Sequence, residues 1–339
     1  MKQLFKLSLA SVLVAGSMAV QAGTLADVLD RGELHCGVTT GVTGFSAPDS
    51  AGNWTGIDVD GCRSVAAAVF GDASKVKYVP LTAKERFTAL QSGEIDVLYR
   101  NTTWTMQRDA SLGLNFAGVN YYDGQGFMVM KSLGVSDAME LSGASVCIQA
   151  GTTTELNLAD WGGANGIEYD SVVVETSAQS LDGFLAGRCD VLTSDVSQLA
   201  SLRAAMDDPD AAVILGNVIS KEPLGPVVRQ GDDEWFNIVK WTLIAMIQAE
   251  ESGVTSENID TETTNPTIER IAGRSSQTHE YLHLSPSWSY DIIKQVGNYG
   301  ESFERNIGVN TPIGLSRGPN QLWTKGGILY APADRKSVV

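Results

Sequence analysis

Beyond its first 22 residues the chain has no apolar run approaching the roughly 20 residues a membrane helix needs, which argues against a spanning segment. It is poor in basic residues: 24 Lys and Arg stand against 40 Asp and Glu, a formal net charge of −16. That balance argues against nucleic acid and anionic membrane surfaces as partners, both of which need cationic faces. Histidine is scarce, at three residues, and the four cysteines include no C-x-x-C pair, so a four-thiolate metal site has no support. No cofactor or metal is expected.

The first 22 residues read as an export leader. Lys2 and Lys6 form a short basic start, LSLASVLVAGSMAV is apolar, and Val20-Gln21-Ala22 offers small residues for cleavage after Ala22. No cysteine follows that point, which argues against a lipid anchor. Export leaves 317 residues (339 less 22) with 22 basic and 40 acidic side chains, a net charge of −18. That length suits two lobes of ordinary size. Cys36, Cys62, Cys147 and Cys189 then lie in an oxidising compartment. Four cysteines allow three pairings, and position favours the first two together and the last two together. Four buried free thiols are the alternative.

Two segments echo each other. LQSGEIDVL (90–98) and FLAGRCDVL (184–192) both run from a helix end through a glycine to an Asp and a short apolar strand. Upstream stand GELHCGV (32–38) and GASVCIQ (143–149), again alike. Strand and helix alternate twice in the same order, which predicts an α/β chain with parallel sheets covered on both faces. Ligands of such sheets bind beyond the carboxyl ends of strands, which here are RNTTWT and TSDVS (193–197). YYDGQGFMVMK (121–131) and SKEPLGPVVRQ (220–230) read as two crossings between the halves, and two crossings make a hinge. A single domain with glycine-bearing loops is the rival arrangement.

Three loops carry the chemistry. In RNTTWTMQRD (100–109) Arg108 falls in the first turn of a helix, where a cation opposes the helix dipole. Its planar fork fits a carboxylate, and Thr103 offers a hydroxyl and an amide. In QAGTTTELNL (149–158) Thr152 and Glu155 have capping-box spacing, and a capped helix start presents amides to an anion. In TSDVS, Asp195 stands just past a strand, placed to receive an ammonium. Each feature alone has a commoner use, as a surface ion pair or a plain helix cap. Together they supply partners for both charges of an α-amino acid.

GFSAPDSAGNWTGIDVD (44–60), LQSGEIDVLYRNTTWTMQR (90–108), GQGFMV (124–129), QAGTTTE (149–155), GRCDVLTSD (187–195) and KEPLGPVVRQGDDEWF (221–236) resemble, in order, the polar amino-acid-binding proteins of bacterial ABC importers. These are family 3 solute-binding proteins, and the likeness is greatest to the general L-amino-acid receptors. The resemblance implies a type II periplasmic-binding-protein fold: two lobes, each with a parallel-rich sheet, joined by a two-strand hinge. It places lobe 1 at 23–123 and 225–339, lobe 2 at 128–219, and the hinges at about 123–127 and 220–224. It implies that Arg108 and the amides of Thr103 and Thr153 hold a ligand carboxylate, with Thr152 supporting. Asp195, the Asn101 carbonyl and the Thr103 hydroxyl would take the amine, and Phe45 would cover the ligand. Arg100 departs from the small residue usual there and would welcome an acidic or amide side chain, with Trp54 a candidate flank.

The resemblance further implies a monomeric periplasmic receptor, not an enzyme, that captures free L-amino acids for an inner-membrane ABC permease. A dehydratase or lyase on the same fold is the enzymatic rival, but the matching loops hold no spare His or Glu to act as acid or base. A sensor domain is a third use of the fold, and no membrane helix follows here. HEYLH (279–283) spells a zinc-protease motif, yet Pro286 follows closely and leaves little helix to align two ligands. Residues 254–295 read as an insertion, and 309–339 as a tail packed over lobe 1.

Overall fold

The computed structural model describes residues 23–261, 263–275 and 277–334. The leader expected at 1–22 lies outside them. Two five-stranded sheets repeat one pattern. In the first, the parallel strands Val76–Pro80, Leu34–Val38 and Val97–Leu98 are followed by one opposing strand, Val227–Arg229, and then by Leu114–Phe116, which pairs antiparallel with it and so runs with the first three. In the second, Tyr169–Val174, Ala144–Gln149 and Val191–Asp195 are parallel, Gln125–Met130 runs against them, and Ala212–Ile214 pairs antiparallel with that strand and so runs with the first three. The sequence echo is therefore a structural repeat of strand, helix and strand. Both sheets are mixed because the chain enters each from the other lobe, and the entering strand runs opposite to the crossover units.

Packing explains several local choices. Helix Ile57–Phe70 lies on the first sheet, and a Cβ at Gly61 would stand 2.3 Å from the Tyr99 ring, so only glycine admits that approach. Asp232 caps helix Asp233–Glu251 by accepting from the Trp235 amide at 3.0 Å. Trp235 is fully buried, and its Nε1 donates to the Asp96 carbonyl at 2.9 Å. Each lobe carries one disulfide, Cys36–Cys62 and Cys147–Cys189, tying the first strand of the repeat to its neighbouring helix or strand end.

The lobes are joined by the antiparallel pair Tyr121–Asp123 and Glu222–Leu224, in which Asp123 and Glu222 stand directly opposite. The first crossing thus lies a little earlier than the expected 123–127, since Gln125 already belongs to the second sheet. Among the described residues of 254–295, helix Trp288–Gln295 packs on Ile57–Phe70 and buries Ile292 and Ile293. Gln295 closes that helix's end, accepting from the Ala73 amide at 2.8 Å and donating to the Gly71 carbonyl at 2.9 Å. The tail buries Ile313, Leu322 and Leu329 in the first lobe. It also grips the hinge: Asn320 Oδ1 accepts from the Tyr122 amide at 2.7 Å, and its Nδ2 donates to the Tyr122 carbonyl at 3.0 Å. HEYLH overlaps the five-residue helix Thr278–Leu282, and its second histidine, His283, is the left-handed cap beyond that helix, so the two rings do not share a helical face.

Candidate functional site

Arg100 and Asn101 follow strand Val97–Leu98 after Tyr99, and both line the gap between the lobes. Asn101 adopts a left-handed φ of 36°, rare for a residue with a side chain. Five residues on, helix Met106–Ser111 is capped by Thr105, whose Oγ1 accepts from the Arg108 amide at 3.2 Å. That cap orients Arg108 inward. Its Nη1 donates to the Thr103 carbonyl at 3.0 Å, and its guanidinium lies 5.2 Å from the Phe87 ring centroid.

Arg86 covers the same Phe87 ring at 4.8 Å. It is 2% exposed, reaches Thr102 Oγ1 at 3.3 Å and the Gly151 carbonyl at 3.5 Å, and leaves its Nε without a partner. Burial pulls the Arg86 guanidinium well below its ordinary value, and repulsion from Arg100 and Arg108 adds to this. Burial likewise lowers Arg100 to about 10 and lowers Arg108. Among the described residues none of the three forms an ion pair within 4.0 Å. Three buried guanidiniums without close carboxylates make a site that selects anions.

The second lobe contributes a helix start. Gly151 takes a left-handed φ of 74°, and helix Thr153–Asn165 begins at the Thr152 cap. The expected capping box does not form. Thr152 Oγ1 instead donates to the Gln149 carbonyl at 2.7 Å and meets Thr154 Oγ1 at 2.6 Å, while Glu155 reaches back to the Gly151 amide at 3.3 Å. The hydroxyl prefers the carbonyl behind it because the turn at Gly151 brings Gln149 close. The first-turn amides are thereby left without a side-chain acceptor, at the positive end of a 13-residue helix.

Asp195 ends strand Val191–Asp195 and is buried. Burial raises its carboxyl well above the ordinary range. Repulsion from Asp123 and Glu222 adds to the rise, and Arg86 and Arg108 oppose it. Asp123, half-buried, is pushed up to about 6 by desolvation, while the Ser197 hydroxyl and amide and the Gly124 amide bind it. A cation arriving between these groups relieves that repulsion.

The lobes are closed on one another. Lys84 Nζ meets Glu175 at 2.7 Å, Asn101 Nδ2 donates to Gln198 Oε1 at 3.1 Å, Ser201 Oγ donates to the Thr43 carbonyl at 2.8 Å, and Thr103 and Thr153 hydroxyls stand 3.3 Å apart. Between them remains a cavity with room for water centres over about 20 Å³. Arg86, Arg100, Asn101, Thr103, Gln149, Thr152, Thr153, Thr154, Ser194, Asp195 and Gln198 line it. A larger void of about 170 Å³ lies between helix Asp233–Glu251 and the 254–295 segment, walled mainly by Trp241, Ile244, Tyr281, Leu282 and Trp288. Its charged residues, Arg270 and Asp334, already pair with each other at 3.1 Å, so the cleft holds the candidate site.

The structure brings Arg100, Asn101, Thr103, Thr152, Thr153 and Asp195 to this cavity, with Arg108 directly behind Thr103. Two expectations need correction. Phe45 is not a cover for the cleft: it is 1% exposed and packs edge-on against Tyr121 in the core of lobe 1. Its carbonyl accepts from the Asp58 amide at 3.0 Å, which fixes it beneath helix Ile57–Phe70. Trp54 packs on Tyr78 at 5.6 Å, away from the cavity lining. Arg86, Gln149, Thr154, Ser194 and Gln198 were not anticipated. Arg86 stands in AKER, which reads as an ordinary solvated helix start, and only the fold turns it inward.

The profile of the bacterial extracellular solute-binding proteins, family 3, matches residues 34–257. The chain belongs to that family. It is 57% identical, over 96% of its length and 97% of the relative's, to the General L-amino acid-binding periplasmic protein AapJ of Rhizobium johnstonii. It is 53% identical, over 96% of both chains, to the Glutamate/glutamine/aspartate/asparagine-binding protein BztA of Rhodobacter capsulatus. A periplasmic binding protein from Brucella ovis, solved with glutathione bound, superposes with a TM-score of 0.91 at 53% identity, covering 93% of this chain and all of that one. The family fold is the type II periplasmic binding protein, with the repeat and hinge described above. Since the profile ends at residue 257, the greater part of the 254–295 segment and the whole tail lie outside it.

Proposed function

We propose that this solute-binding protein is exported, loses residues 1–22, and as a periplasmic monomer captures free L-amino acids for an ABC-type importer in the inner membrane. One observation carries the reading: buried charges of both signs, Arg108 with a free helix start and Asp195 with its acidic neighbours, converge on one cleft without pairing closely. A zwitterion satisfies both. Arg108 and the amides of Thr103 and Thr153 take the α-carboxylate, supported by Thr152. Asp195, the Asn101 carbonyl and the Thr103 hydroxyl take the ammonium. Arg86 and Arg100 leave positive charge for the remainder of the ligand, which favours acidic and amide side chains, in keeping with the name of the Rhodobacter relative. Glutathione, bound in the Brucella neighbour, carries the same ammonium and α-carboxylate on its glutamyl end.

Both lobes contribute to the cleft, so a ligand reaches its full set of partners only when they close. Binding therefore shifts the population toward the closed form, the form a permease would read. A thermal-shift panel of the twenty amino acids and glutathione tests the assignment. Stabilisation by L-glutamate, L-glutamine, L-aspartate or L-asparagine, and none by glutarate lacking the amine, is expected. A panel with no stabilising amino acid would overturn it.

A further inference from the structure

We propose that Asp58 is a positioning residue of the binding site, holding the Asn101 peptide in the left-handed turn from which Asn101 lines the cleft and reaches Gln198 of the other lobe. This rests on the amino-acid reading above and extends it to a residue that touches no ligand. Asp58 is the second residue of helix Ile57–Phe70 and is 1% exposed. Its Oδ2 accepts from the Asn101 amide at 2.8 Å, and its Oδ1 accepts from Asn120 Nδ2 at 2.9 Å. Asn120 is fixed in turn, its carbonyl accepting from Tyr299 Oη at 2.8 Å.

The arrangement has a physical logic. A φ of 36° lies in the left-handed region, which asparagine tolerates better than most residues but which still costs free energy, so a fixed partner for its amide stabilises the turn. A charged acceptor on the Asn101 amide is a strong constraint, because charge-assisted hydrogen bonds are stronger than neutral ones. With the peptide so held, the Asn101 side chain donates to Gln198 Oε1 at 3.1 Å, one of the bonds that joins the closed lobes. The Asp58 carboxylate also supports the charge of Arg100 electrostatically. Burial pushes the Asp58 carboxyl up to about 6, with Asn120, Asn101 and Arg100 opposing, so the ionised clamp is held at a cost that the turn justifies.

The test is a double-mutant cycle of Asp58→Asn with Asn101→Gly, read as L-glutamate affinity by calorimetry. Glycine adopts a positive φ without a clamp. Asp58→Asn should weaken binding about tenfold or more in the native background and less than about threefold when residue 101 is glycine. Equal losses in both backgrounds, or no loss in either, would overturn the proposal and mark Asp58 as general core support. Should Asp58→Asn fail to fold, the unaltered protein still decides: the Asn101 amide should exchange slowly with deuterium, and rapid exchange would overturn the clamp. If the unaltered protein binds no amino acid, the receptor reading fails, while the exchange result still reports on the clamp.

Discussion

Replacing Arg108 with Ala removes the one guanidinium that sits behind the Thr103 turn, so its effect can be worked from the geometry. Among the described residues the Arg108 guanidinium makes one hydrogen bond, to the Thr103 carbonyl at 3.0 Å, and lies over the Phe87 ring at 5.2 Å. Burial lowers its pKa, so its charge is a desolvated one awaiting an anion. Truncating one partner of a buried, hydrogen-bonded charge pair costs about 2–5 kcal/mol in binding. At about 1.4 kcal/mol per tenfold, L-glutamate affinity should fall roughly 30-fold to several thousand-fold. Folding should survive, because relief of repulsion with Arg86 offsets the lost stacking. Arg108→Lys should fall between, keeping the charge and losing the fork. Calorimetric titration supplies the Kd, and a thermal melt supplies the check on folding. A well-folded Ala variant with unchanged Kd would refute the assignment of the carboxylate to this residue.

Four further outcomes are expected. Arg86→Met, which keeps an apolar stem on Phe87, should weaken L-glutamate at least about tenfold more than L-alanine; equal losses would deny Arg86 a share in side-chain selection. Asp58 and Asp123 stand at about 6 when folded against an ordinary 3.8. A raised carboxyl holds its proton more tightly folded than unfolded, so its contribution falls as pH climbs from about 4 to about 6. The ligand-free melting temperature should therefore rise on acidification from pH 7 to about 5, since carboxyls held low, such as Asp190, lose their contribution only below 3.8. Ligand affinity should move the opposite way, because an ammonium favours ionised Asp195 and binding releases a proton; calorimetry in buffers of unlike ionisation enthalpy reads this directly. Removing the Cys147–Cys189 bridge, which spans 42 residues, should lower stability by about 3–4 kcal/mol in urea melts.

Much of the fold was legible because repetition is a sequence property. The two echoing segments became the equivalent strands Leu34–Val38 and Ala144–Gln149, and Val97–Leu98 and Val191–Asp195. Asp195, Thr103 and Thr153 were legible because strand ends and helix starts are marked by their own residues. What stayed hidden depends on packing between distant segments. Arg86 reads as a solvated charge until Phe87 and the second lobe cover it. Phe45 reads as a cleft aromatic until helix Ile57–Phe70 closes over it. The hinge carboxylates Asp123 and Glu222 lie about a hundred residues apart in the chain and meet only by strand pairing. Asn320 likewise gives no hint in the sequence that it binds both backbone groups of Tyr122.

The most direct measurement is a crystal structure with L-glutamate bound. It should show the α-carboxylate within hydrogen-bonding distance of Arg108 and the start of helix Thr153–Asn165, and the ammonium against Asp195. A ligand seated elsewhere, such as the void beside Trp241 and Trp288, with the cleft between Arg108 and Asp195 empty, would contradict the account.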